Sequence, residues 1–132
     1  MDPKKEIEAL VKKRFGIIGD HPFKDDEDDE VFRHEDNGKW FALLMKIPNK
    51  TLSLEPSEGF SYLLNVKGNP KQIPLEFNET HFHPAYHMNK RNWISVLLDK
   101  DTPMDKTLRL LKVSFRLTKK KKRIRPGSRE GL

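Results

Sequence analysis

In the middle of the chain the apolar positions recur at every second residue, which predicts strands. In KWFALLMKI (39–47), Phe41, Leu43, Met45 and Ile47 point one way while Trp40, Ala42 and Leu44 point the other, the period of two of an extended backbone. Pro48 ends that run. EVFRHED (30–36) precedes it, and Asn37-Gly38 between the two is the strongest short signal for a hairpin. GFSYLLNVK (59–67) alternates again, with Phe60, Tyr62, Leu64 and Val66 on one face. A last pair of strands is predicted around the turn Asn89–Asn92. Ala85 and His87 oppose Tyr86 and Met88 before it; Ile94, Val96 and Leu98 oppose Trp93, Ser95 and Leu97 after it.

At the two ends the spacing becomes helical. Ile7, Leu10, Val11 and Phe15 share one face, Asp2 suits the cap, Pro3 the first turn and Gly16 the stop. In DTPMDKTLRLLKVSFRLT, Thr102 is the expected N-cap and Pro103 the first helical residue. Asp105 suits the positive helix end, and Met104, Leu108, Leu111 and Phe115 form the stripe to be buried. GNPKQIPLEFNETHFHP has prolines at 70 and 74 and reads as a short helical turn or loop. The order is helix, three strands, a short helix or loop, two strands, helix. Short connections between strands make this one α+β domain, an antiparallel five-stranded sheet covered by helices. Phe41, Leu43, Tyr62, Leu64, Val96, Leu108 and Leu111 are the expected core between sheet and helices.

Charge changes the picture only after its location is checked. The 132 residues carry a net charge of +6. Residues 119–132 hold seven Lys or Arg and one Glu, while the other 118 residues hold 19 of each sign. The basicity therefore belongs to the C-terminus, and the domain (1–120) is distinct from a basic, disordered tail (121–132). Absence of cysteine excludes disulfides, thiol catalysis and cysteine-held metals. The N-terminus is charged throughout, unlike a signal peptide, and no apolar run is long enough for a membrane span. A cytoplasmic protein is expected. The acidic run Asp25–Glu30 reads as a solvated turn, or else as a site for a cation or basic partner.

PAYHMNKRNWISVLLD (84–99) resembles the signature of the MmcQ/YjbR family, small bacterial proteins often labelled DNA-binding. Pro22-Phe23, VFRHEDNGKWFALL (31–44), LLNVKGNP (63–70) and KVSFRL (112–117) follow in the family's order, so the resemblance covers residues 3 to about 120. It implies a fold similar to secretion-chaperone-like proteins, in the order α-β-β-β-α-β-β-α. Two features depart from the family pattern. The second proline shortens the middle helix, and the Lys-rich tail takes no function from the resemblance.

The signature stretch has two readings. It is a solvated turn with Tyr86 and Trp93 packing inward, or it is a surface where Lys90 and Arg91 meet phosphate while Tyr86, Asn89 and Asn92 make polar contacts. Lys119, Lys120, Lys121, Lys122, Arg123 and Arg125 form a dense cationic patch. That patch is either a solvated helix end or a point of attachment to nucleic acid, acidic proteins or lipids. His81, His83 and His87 have ligand-like spacing, but Pro84 interrupts the strand that would align them, so no metal or cofactor is expected. The serines lack a nucleophile elbow, no phosphate-cradling Gly-rich loop occurs, and no carboxylate spacing marks an acid/base pair. The reading is a non-enzymatic domain binding nucleic acid through phosphates. The alternative is a protein-interaction or chaperone-like module with an incidental basic tail.

Overall fold

The computed structural model describes residues 2–119. Helix α1 (Pro3–Phe15) begins where the Asp2 carboxylate accepts the Lys4 amide at 3.0 Å and ends at Gly16, whose φ of 70° suits glycine. Strands β1 (Glu30–Arg33), β2 (Trp40–Pro48) and β3 (Phe60–Lys67) follow, then α2 (Ile73–Glu76), β4 (Phe82–Pro84), β5 (Trp93–Leu98) and α3 (Met104–Thr118). The sheet order is β1-β2-β3-β5-β4 with every neighbouring pair antiparallel. The fold is therefore the expected α+β arrangement, an antiparallel five-stranded sheet with helices in the order α-β-β-β-α-β-β-α. No helix among the described residues is long and apolar enough to cross a membrane.

Both faces of the sheet are covered. On one, Leu44, Leu64, Val66 and Val96 pack against Ile7 and Val11 of α1 and Leu110 and Leu111 of α3. On the other, Val31, Leu43, Met45, Ile47 and Leu63 lie beneath Phe23, Leu52, Tyr86 and Met88, which come from loops. Leu43 is thus buried on the loop side, not between sheet and helices. Tyr62 and Leu108 of the expected core are only half-buried.

Phe41 does not share a face with Leu43. Phe32 pairs with Ala42 and Arg33 with Trp40, so Phe41 is an extra residue in β2. Such a bulge breaks the alternation and turns Phe41 toward the helices, where its ring lies 5.6 Å from Phe15 and 5.0 Å from Phe115. The hairpin at Asn37-Gly38 is also longer than two residues. β1 ends at Arg33 because His34 and Asn37 turn to α3, bonding the Thr118 hydroxyl (2.9 Å) and donating to its carbonyl (3.0 Å) respectively.

Helix α3 starts one residue later than expected, with Pro103 as N-cap. Thr102 instead closes the preceding turn, its hydroxyl donating to the Leu97 carbonyl at 2.9 Å and accepting the Asp99 amide at 2.7 Å. Its fully buried residues are Thr107, Leu110, Leu111, Ser114 and Thr118, so the inward face is rotated from the apolar stripe. Hydroxyls explain the rotation. Ser114 donates to the Phe41 carbonyl and accepts the Lys67 amide at 2.8 Å, completing the backbone around the bulge. The short α2 has Pro74 in its first turn. Its Glu76 is gripped by Arg109 at 2.9 and 3.1 Å, which with Lys106 holds the carboxyl below the ordinary range.

The acidic run does not behave as one solvated turn. Asp25–Asp28 are exposed, but Asp29 is half-buried and Glu30 is 2% exposed. Burial pushes Asp29 upward, while its carboxylate accepts the Lys46 amide at 3.0 Å.

Candidate nucleic-acid interface

The stretch from Ala85 to Asn92 leaves the sheet. β4 ends at Pro84, so the expected strand through Met88 does not form. The Tyr86 amide donates to Ser95 Oγ at 2.9 Å, and its carbonyl accepts Asn65 Nδ2 at 3.0 Å. Ser95 Oγ also donates to Asn65 Oδ1. Two buried polar side chains on neighbouring strands thereby replace ladder bonds, and His87 takes a φ of 60° to turn the chain. Asn65 and Ser95 were not singled out as site residues from sequence. Their signal is a polar residue at the centre of an apolar strand.

Within the loop, Asn89 builds the turn. Its side-chain oxygen accepts the Arg91 amide at 2.8 Å, and its carbonyl accepts the Trp93 amide at 3.0 Å. The Asn92 carbonyl accepts the Gly68 amide at 2.8 Å, tying the loop to the end of β3. Tyr86 is half-buried against the loop-side core, with His87 at 4.0 Å from its ring. Only Lys90 and Arg91 of the five loop candidates are both charged and exposed. Removing the Ser95 hydroxyl (Ser95→Ala) strands the Tyr86 amide. The expected cost is about 1–3 kcal/mol, read by urea unfolding, with faster hydrogen exchange at Tyr86.

The register places the cations at one end of the sheet. Lys67 pairs with Trp93, so the ends of β3 and β5 meet there. The β1–β2 turn lies at this end with Lys39, and α3 ends over it through Thr118 with Arg116 and Lys119 nearby in sequence. Lys39, Lys90, Arg91, Arg116 and Lys119 are exposed. Glu35 and Asp36 are the acidic residues of the same turn. The opposite end carries Asp25–Asp28, Glu55, Glu58, Asp99, Asp101 and Asp105, with Lys50 and Lys100 among them; Lys46 is paired there with Asp28 at 3.4 Å. Lys120, Lys121, Lys122, Arg123 and Arg125 lie outside the described residues. Lys119, from which they continue, caps α3 at the basic end.

The three clustered histidines of the sequence do not converge on one ligand. His81 Nε2 meets Asp99 at 2.9 Å, His83 Nε2 donates to the Thr80 carbonyl at 3.1 Å, and the His87 ring lies tilted against Tyr86.

The YjbR family model matches residues 15–117. The chain is 32% identical over 116 residues to the uncharacterized protein YyaQ of Bacillus subtilis (strain 168), covering 88% of this chain and 98% of that protein. A crystal structure of a Pseudomonas syringae protein matches with a TM-score of 0.80 at 33% identity, over 87% of this chain and 97% of the other. The crystal structure of Deinococcus radiodurans protein DR2400 shares the fold, with a TM-score of 0.61 at 22% identity, over 96% of this chain and 91% of that one. The matched region spans the sheet, the Asn65–Ser95 brace and the signature loop: the chain belongs to the YjbR family.

Proposed function

We propose that the basic end of the sheet binds nucleic acid through its phosphates and does no chemistry on it. The carrying observation is that the exposed loop cations Lys90 and Arg91 stand at the sheet end from which the Lys-rich tail departs. Cations on separate elements gathered at one end of the sheet, with acid at the far end, suit a polyanion approaching that end. Base sequence has no reader in this arrangement. Helix α3 lies against β2 and β3 with its middle buried, so it does not project as a recognition helix. Chemical-shift mapping with a short DNA duplex at low salt tests the reading. Shifts should gather at Lys39, Lys67, Lys90–Asn92 and Arg116–Lys119. No shift at low salt ends it.

One observation favours a second reading, a protein-interaction module. An apolar cleft of about 170 Å³ lies between Leu52, Leu54, Leu63, Pro84, Tyr86 and Leu97, beside the three-residue edge strand β4. Edge strands accept extended peptides. In that reading duplex DNA leaves the basic end unshifted.

A further inference from the structure

The segment after α1 is drawn to the edge of the sheet by an isolated bridge. The Asp20 amide donates to the Val31 carbonyl at 2.9 Å, and the Val31 amide donates to the Asp20 carbonyl at 2.8 Å. This brings together three groups from distant parts of the chain: Glu8 on α1, His21 on the segment and Glu30 on β1. One ligand atom of each lies within 4.8 Å of the others. Glu30 is 2% exposed, and its Oε1 has no hydrogen-bond partner. A buried carboxylate oxygen without a donor is costly. Glu8 places a second carboxyl beside it, and two carboxylates side by side attract either a proton or a cation.

Two further features favour the cation. His21 Nδ1 lies 3.0 Å from the Asp29 carbonyl. A carbonyl only accepts, so Nδ1 carries the hydrogen and Nε2 keeps its lone pair, the tautomer of a metal-ligating histidine fixed by a second partner. Gly19 is the other feature. A Cβ built there would stand 2.2 Å from Glu30 Oε2 and 2.6 Å from Cδ. The chain holds a glycine where any side chain would push the buried carboxylate away.

We infer that Glu8, His21 and Glu30 form a binding site for a divalent first-row transition ion. One imidazole and two carboxylates neutralise its charge and supply borderline-to-hard donors that suit zinc or manganese. A tetrahedral ion about 2.1 Å from each donor holds them about 3.4 Å apart. The set contracts to that spacing by movement of exposed His21 and half-buried Glu8, while Glu30 stays fixed at the base. The site lies at the β1 edge, away from His81, His83 and His87, whose spacing gave no reason to expect a metal.

The experiment uses the full chain stripped with EDTA and then titrated with Zn²⁺ or Mn²⁺. Zinc should bind at one equivalent and raise the Tm, and Mn²⁺ should broaden Gly19, His21 and Glu30 resonances ahead of Asp25–Asp28 or His81–His87. His21→Ala touches an exposed side chain, so it folds. It should weaken zinc at least tenfold, and Glu30→Gln should do the same. Gly19→Ala should lower affinity by displacing Glu30. The inference is overturned if zinc does not bind. It is equally overturned if His21→Ala leaves the affinity unchanged, or if broadening centres on the exposed acidic loop.

Discussion

Leu111→Ala should lower the free energy of unfolding by roughly 2–5 kcal/mol, the range for a buried leucine truncated in a packed core. Leu111 is 0% exposed, between α3 and the sheet. The surrounding atoms belong to regular elements that cannot close on the cavity. Leu43→Ala should fall at the low end of the same range, although Leu43 is 5% exposed. Its cover is Phe23, Leu52 and Met88, side chains on loops that can settle into the space. Leu117, 41% exposed, should give less than about half a kcal/mol. Urea denaturation with a common m-value compares the three. Equal losses at Leu43 and Leu111 would show that the loop layer is as rigid as the helical one.

The fold was legible because local signals agreed with the global arrangement. Asp2 and Pro3 started α1, Gly16 ended it, and Pro70 and Pro74 kept α2 to a single turn. Several of the errors share a physical origin, lying where a polar side chain substitutes for backbone pairing. Periodicity of apolar residues put Leu108 inward on α3 with Leu111 and Phe115, but Ser114 and Thr118 share the face because their hydroxyls satisfy carbonyls and amides there. It carried β4 through Met88, whereas Asn65 and Ser95 take over the chain at Tyr86. It also put Phe41 beside Leu43, since a bulge has no signature in composition.

The candidate site was legible in part for the same reason. The exposure of Lys90 and Arg91 was legible because turn residues are solvated, and the loop does present them. Asn89, grouped with them, holds the turn through its own oxygen. Lys67 joins that end through strand register, Lys39 through the β1–β2 turn and Arg116 through the contact of the α3 end with that turn, none of which one-dimensional reading supplies. Glu30 was hidden in a run of acids, where its neighbours' solvation suggested its own.

Binding to a labelled DNA duplex should fall steeply with salt, because the proposed contacts are to phosphates. Engaging about four phosphates predicts a slope of log K against log salt of about −3.6, at roughly −0.9 per phosphate. Between 50 and 200 mM salt that is a loss of about 150-fold. Deleting residues 120–132 removes six Lys or Arg and one Glu and keeps Lys119 as the α3 cap. The slope should flatten to about −1.8, the value for two phosphates held by Lys90 and Arg91. A Lys90→Ala/Arg91→Ala double variant in the shortened chain should then remove most of the remaining binding, with its unfolding midpoint unchanged, since both side chains are exposed. Fluorescence anisotropy at several salt concentrations reads all three. If tail deletion leaves slope and affinity unchanged, the phosphates are held elsewhere and the convergence at the sheet end has no part in binding. If deletion alone abolishes binding, the tail acts without the domain, and the loop is a turn held by Asn89 and nothing more.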